Sequence, residues 1–438
     1  MVKLAGRFSH FKPFRALVVG DFMLDTYTRG QVRRISPEAP VSILKVEGQE
    51  SRPGGAGNVV LNLISLGGEV LALGRIGNDA AGKELKRRLE EEGTNIQGLL
   101  VEKGFQTPVK NRLIADSQQV LRVDLEKVTP LSSSLEKKIE ESLSILLSEI
   151  DVVAISDYNK GFLSPSLLQT IIQRARKKKI PVIVDPKGED LSKYKGATLL
   201  KPNLLEAYIA SKLPQTEPLE KAAETLLRDS QADLLMITRS AAGISLFTPD
   251  GKRKDFPVLS KEVKDVTGAG DTVLAMISAA LANGIDMDHA IPFANIAAGI
   301  SIERLGCVRI TLPELARRLL EYDLENKIFD ERHLFALKQI LEDKQYSILC
   351  LDTSKGMDAY LFHAIRKLSS EMQLLIYIED KNPNEEFISL LSSLHEVDFI
   401  ILKKENLKNL FDEISPQQIF AMGPSGIEKR GNLSPLLK

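Results

Sequence analysis

Short apolar runs rich in β-branched residues recur along the chain: ALVVG at 16–20, VVAIS at 152–156, PVIVD at 181–185, TLLKPN at 198–203 and LLMIT at 234–238. Runs of this length, separated by helix-length segments, predict buried parallel strands covered by helices. The segment SLLQTIIQRARKKK at 166–179 fits such a helix, with apolar residues at helical spacing and a basic last turn. Two stretches break the alternation. Residues 29–50 and 106–124 alternate with period two and predict exposed-edge strands of a small antiparallel sheet covering a cleft. The charged stretch EYDLENKIFDERH, starting at 321, then interrupts the pattern. It predicts a boundary near 325, with one domain over 1–325 and a smaller one over 326–438. Four further runs, SILCL (347–351), LLIYI (374–378), DFIIL (398–402) and QIFAM (418–422), predict a second α/β unit.

Composition narrows the function classes. The 438 residues are 43% apolar and 27% charged, with a net charge of -1, so no electrostatic footprint for nucleic acid is present. The apolar runs in MVKLAGRFSHFKPFRALVVGDFML are short and broken by Lys, Arg and Asp. They predict neither a signal peptide nor a membrane span, and hence a cytoplasmic protein. The only cysteines are Cys307 and Cys350, and the five histidines are scattered. That pattern argues against a disulfide framework, a cysteine-rich zinc site or a histidine metal cage.

Three glycine-rich stretches carry candidate chemistry. GNDAAGKE at 77–84 has phosphate-loop spacing, but Glu84 stands where a Ser or Thr should reach magnesium. The expectation there is an ordinary turn. GGAGN at 54–58 can bring backbone amides and Asn58 close to a polar ligand, or serve as a turn before a helix. In DVTGAGDTV at 265–273 the glycines can wrap N–H groups around an anion at the start of a helix beginning near Asp271. Asp271 itself reads either as a general base or as a helix N-cap. Asp21, after the strand VVGD, and Asn203 and Glu206, in KPNLLE at 201–206, belong at the same carboxyl edge of the sheet, where open α/β proteins bind ligands.

In this order, VVGDFMLD, RPGGAGNV, GRIGND and DVTGAGDT resemble the ribokinase-like (PfkB) family of sugar kinases over roughly residues 14–320. ISPEAPV, SDYNKG, DPKG, GATLLKPN, TRSAAG and FANIAAG are similar to the heptose-7-phosphate kinase half of the bifunctional heptose kinase/adenylyltransferases of lipopolysaccharide synthesis. The resemblance implies a ribokinase-like three-layer sandwich with a small β lid, followed by a Rossmann-like nucleotidyltransferase-type domain. It implies transfer of the ATP γ-phosphate to the anomeric hydroxyl of D-glycero-β-D-manno-heptose 7-phosphate. Asp271 would take the proton, and amides around Gly268, Ala269 and Gly270 would form the anion hole. Asp21, Gly54, Gly55 and Asn58 would hold the sugar. Lys110, Arg112, Arg122, Lys160 and Lys187 are candidates for its 7-phosphate, or else belong to solvated faces. Asn203, Leu204, Leu205 and Glu206 would lie at the nucleotide phosphates, with Asn203 and Glu206 holding Mg²⁺ through water. Ser240, Gly243 and Asn295 would lie along the nucleotide. The lid implies a homodimer.

The second domain departs from the pattern of these bifunctional relatives. NKIFDERHL at 326–334 looks like the segment joining the two halves, but the H-x-G-H motif that should follow SILCL is replaced by CLDTSKGMDAYLFHAIRKL. His363 sits alone in a helical run. A degenerate adenylyltransferase-like domain is therefore expected, with packing, dimerisation or recruitment of a separate adenylyltransferase as its candidate uses. A surviving second activity, a kinase for another sugar and a non-catalytic scaffold are the alternatives.

Overall fold

The computed structural model describes residues 11–116, 118–258, 263–304, 306–322, 327–329, 337–338, 341, 344–380, 383–402, 416–423 and 426–429. They divide into one compact unit over Lys12–Thr311 and another beginning at Leu312. The division falls ahead of the boundary expected near 325, because the helix Leu312–Tyr322 groups with the C-terminal residues. Much of the expected joining segment 326–334 lies outside the described residues.

The larger unit is a three-layer α/β sandwich whose predicted apolar runs became its central strands. The strands of this unit are β1 (Phe14–Gly20), β2 (Phe22–Ile35), β3 (Ser42–Gly55), β4 (Gly68–Gly77), β5 (Asn95–Glu102), β6 (Val109–Ala115), β7 (Gln118–Leu125), β8 (Val152–Ser156), β9 (Val182–Asp185), β10 (Leu199–Leu200), β11 (Leu234–Thr238), β12 (Ile244–Phe247) and β13 (Arg253–Phe256), of which the predicted apolar runs became β1, β8, β9, β10 and β11. Nine of them form one sheet in the order β13-β12-β11-β10-β9-β8-β1-β4-β5. It is parallel except at β11-β12 and β12-β13. Side chains of β1 and β8 are buried almost throughout, which explains their unbroken apolar runs.

Helix signals were also legible. The helix predicted at 166–179 spans Pro165–Lys177; the Ser164 side chain accepts from the Leu167 amide, Pro165 opens the first turn, and Arg174, Arg176 and Lys177 close the last. Leu167, Leu168, Ile171, Ile172 and Ala175 bury its inner face in the main core. Two other helices position the site: α1 (Ala56–Ser65), after the glycines ending β3, and α2 (Ala269–Ala282), after Gly268.

The two period-two segments do pair with each other, in a separate four-stranded sheet ordered β3-β2-β6-β7. Within it β2 and β6 run parallel, while the other two pairings are antiparallel. Every residue of the edge strand β7 is exposed.

In the C-terminal unit a six-stranded sheet is built around three parallel neighbours, Tyr346–Leu351, Gln373–Ile378 and Phe399–Leu402. Leu349, Ile376 and Ile400 anchor its own apolar core with Leu361 and Ile365 of the helix Ala359–Ser369. Among the described residues no helix is long and apolar enough to cross a membrane.

Candidate active site

The strand ends of the nine-stranded sheet bring Asp21, Tyr158, Asp185 and Lys201 to one edge, and α1 and α2 point their N-termini at the same place. Gly268, not Asp271, is the N-cap residue of α2, with φ +80° and no side-chain cap. A Cβ at Gly268 would lie 2.8 Å from Asn58 Nδ2, so a side chain there would push into the site. The helix starts two residues before the expected Asp271, which frees that carboxylate from capping. Instead Asp271 Oδ2 accepts from Asn58 Nδ2 at 2.9 Å and Oδ1 accepts from the Tyr158 hydroxyl at 2.8 Å. Asp271 is only 3% exposed. Burial, reinforced by the negative charge of Asp185, pushes its pKa up to about 7 even though Asn58, Tyr158 and Lys201 oppose the shift. A carboxylate poised there can take a proton from an alcohol near neutral pH.

The glycine turn leading into α2 is only partly available to an anion. The Ala269 amide, expected in an anion hole, donates to the Val266 carbonyl at 3.3 Å. Gly270 remains at the helix entrance, where a Cβ would stand 3.6 Å from Lys201 Nζ. Lys201 is buried and pairs with Asp185 at 2.9 Å, so a fixed cation adjoins the turn.

Asp21 is held by two backbone donors, the amides of Tyr158 (2.9 Å) and Lys160 (3.1 Å), both to Oδ2. Burial, then the neighbouring charge of Asp157, raises its pKa to about 6. Its carbonyl accepts from the Ala56 amide, tying it to the turn made by Gly54 and Gly55. Gly55 has φ +56°, and a Cβ on Gly54 would stand 2.1 Å from Asp25 Oδ2. Gly55 is therefore required by its left-handed backbone beside the Asp21 carbonyl, and Gly54 by the Asp25 side chain packed against it.

The five candidate phosphate cations separate. Arg112 is buried against Asp25 at 2.6 Å, Arg122 pairs with Asp124 at 2.8 Å, and Lys160 Nζ pairs with Glu126 at 2.6 Å. Lys187 stands with Glu206, at 2.6 Å, on the side of Asn203. Lys110 differs: its ammonium lies 4.9 Å from the centre of the Tyr158 ring, and burial lowers its pKa.

A cavity of about 650 Å³ extends from Tyr158 and Gly270 past Lys201 to Ser240, Gly243 and Asn295. Asn203 and Glu206 line it, locked in a reciprocal capping box at the start of the helix Leu204–Ser211. Leu204 and Leu205, expected at the nucleotide, do not line it: Leu204 packs on the main core and Leu205 faces solvent, as the first two positions of that helix dictate. Ser240 has φ +50°, and Gly243 packs against the Phe256 carbonyl where a Cβ would stand at 2.1 Å. Among the described residues no group of three or more His, Cys, Asp or Glu could hold a metal ion. The oxygens of Asn203 and Glu206 already accept from each other's amides and from Lys187, so a hard cation would meet them only through its water shell.

At GNDAAGKE, Asp79 caps the following helix by accepting from the Gly82 amide, and Glu84 pairs with Arg88. The amide a phosphate would need is taken, in keeping with an ordinary turn. Sequence reasoning missed Tyr158, Asp185 and Lys201. Tyr158 stands two residues beyond the run VVAIS, Asp185 ends PVIVD and Lys201 lies within TLLKPN, and their signal was membership of SDYNKG, DPKG and GATLLKPN, which names no role for them.

In the C-terminal unit the loop after Tyr346–Leu351 is closed on itself. Asp352 accepts from the Ser354 amide, Asp358 caps the helix at Leu361, and Asp380 accepts from the Thr353 amide. The Thr353 hydroxyl in turn accepts from the Asn384 amide.

Comparison with known proteins follows the same division. The sequence pattern of the family described as pfkB family carbohydrate kinase matches residues 14–315. The bifunctional protein HldE of Citrifermentans bemidjiense is 36% identical over 453 aligned residues, covering 98% of this chain and 90% of that protein. HldE of Helicobacter hepaticus is 42% identical over 339 residues, covering 76% and 70%. Among solved structures, Arabidopsis thaliana ribokinase complexed with ribose and ATP superposes with a TM-score of 0.56 at 19% identity, covering 70% of this chain and 99% of that one. Escherichia coli phosphofructokinase-2 in complex with fructose-6-phosphate gives 0.57 at 20% identity, covering 71% and 99%. These two likenesses establish the ribokinase-like fold of the larger unit.

Proposed function

The chain belongs to the pfkB family of carbohydrate kinases and, along nearly its whole length, to the family of HldE bifunctional proteins, and from that premise we propose that it phosphorylates the anomeric hydroxyl of D-glycero-β-D-manno-heptose 7-phosphate with ATP. The observation that carries the reading is the buried Asp271 carboxylate, held by Asn58 and Tyr158 at the entrance of α2. Asp271 takes the proton of the acceptor hydroxyl, and the amide end of α2 around Gly268 and Gly270, with Lys201, faces the charge of the transferred group. Asp21 and Asn58, with the bare backbone of Gly54 and Gly55, hold the sugar. Lys110 is the cation best suited to the distal phosphate, because the other four candidates already meet carboxylates. Asn203 and Glu206 would hold Mg²⁺ through its waters, and the ion would supply charge neutralisation to the phosphates. ATP lies along Ser240, Gly243 and Asn295.

The lid sheet supports a homodimer: its edge strand β7 exposes Val120, Leu121, Val123 and Leu125, a set of apolar side chains suited to a second copy. The protein works in the cytoplasm, where ATP is supplied. Residues from about 326 form a degenerate adenylyltransferase-like domain without nucleotidyl transfer. What favours this is the group of Asp352 and Asp358, after the strand Tyr346–Leu351, and Asp380, after Gln373–Ile378, whose carboxylates would repel a triphosphate. A panel of sugar phosphates assayed with ATP tests the substrate; a clear preference for a hexose or pentose phosphate over the heptose would defeat the assignment.

A further inference from the structure

Tyr158 follows β8 at the carboxyl edge of the sheet, and its hydroxyl donates to Asp271 Oδ1. Asn58 donates to the other oxygen from α1, so the carboxylate plane is fixed by two unrelated segments. A carboxylate offers about four lone-pair sites. Two donors therefore leave room for an incoming hydroxyl while removing the freedom to rotate. The outer face of the same ring carries the Lys110 ammonium, which comes from β6. We propose that Tyr158 is a positioning residue for phosphoryl transfer, whose hydroxyl bond to Asp271 holds that carboxylate in its ionised form. This rests on the reading of Asp271 as the base.

The groups facing Asp271 fix the sign of the effect. Burial and Asp185 favour its protonated form; Asn58, Tyr158 and Lys201 favour the ionised one. Cys307, behind Gly268, has its own thiol pKa raised by burial and stays neutral. Burial and the charge of Asp271 likewise keep the Tyr158 hydroxyl protonated, so it remains a donor throughout the working range. Deleting that hydroxyl removes one of three influences that hold the base charged.

The test is the pH profile of kcat for Tyr158→Phe with sugar phosphate and ATP at saturation. The expected result is a midpoint higher by about one pH unit, a rate about fivefold lower near pH 7, and a deficit that closes by about pH 9. An unchanged profile, or a loss equal at every pH, overturns the proposal. Fluorotyrosine at 158 keeps the ring and makes a stronger donor; it should move the midpoint down, and an upward or absent shift counts against the inference. Asp271→Asn run in parallel separates the two levels. If it retains full activity, the base assignment itself falls; if it is inactive while both Tyr158 replacements keep the original midpoint, only the role of Tyr158 falls.

Discussion

Asn58 and Asp271, 213 residues apart in sequence, meet through a 2.9 Å hydrogen bond that joins the N-terminal turns of two helices. Asn58 is itself fixed from behind, where Asn62 Nδ2 donates to its carbonyl at 3.0 Å. The arrangement predicts unequal losses. Asp271→Asn should lower kcat by about 10³-fold, as removal of a general base does. Asn58→Ala, which leaves the base in place but loosens it, should cost about 10–100-fold. Steady-state rates of the two variants check this, and equal rates in both would contradict the assigned roles.

Acid–base behaviour gives a second expectation. Asp271, at about 7, must be ionised to act, so kcat should rise with pH through that region. Stability should move the other way. Its folded pKa lies above the ordinary value of 3.8, so between about 4 and 7 the folded state binds more protons than the unfolded state, and stability falls as pH rises. Asp21, raised to about 6, contributes in the same direction over a narrower window. The unfolding temperature of Asp271→Asn relative to the parent should therefore increase from about pH 5 to about pH 8. Calorimetric scans at both pH values decide it.

Lys110→Ala should raise KM for the sugar phosphate about tenfold or more with little change in KM for ATP, because a direct charge-assisted contact is lost. Arg122→Ala, on an exposed strand and paired with Asp124, should change KM by less than about twofold. Initial-rate measurements with each substrate varied in turn distinguish the two.

No adenylyl transfer is expected from the C-terminal unit. Incubation with heptose 1-phosphate and ATP should yield no ADP-heptose above background, by chromatography of the products. Robust turnover by this chain alone would restore the bifunctional reading.

What the sequence disclosed depended on how local each determinant was. β1 and β8 are buried on both faces, so ALVVG and VVAIS stand out as unbroken apolar runs. β4 was missed because GEVLALGRIG mixes charge and glycine, and Arg75 within it is buried by bonding to Glu102 and to the Lys160 carbonyl. The strands of the period-two segments were legible, but their extension to Phe22 and Gly55 was not, since those ends are buried and lose the alternation. Asp271, Asn58 and Asp21 sit beside glycines that announce a special backbone. Tyr158 and Lys201 carry no such mark, and their roles exist only where separate strand ends converge. Leu204 and Leu205 erred in the opposite sense: they lie between Asn203 and Glu206 in sequence, yet helical rotation turns them from the cavity.

The residues proposed to hold the sugar occupy the roots of the four-stranded sheet. Asp21 immediately precedes β2, and Gly54 and Gly55 are the last residues of β3. No loop stands between sheet and site to absorb displacement. The two long strands thus join the small sheet directly to the backbone proposed to hold the sugar, so a tilt of that sheet would turn the proposed binding groups. On the proposed function, substitutions at its far end would alter affinity without touching the ligand.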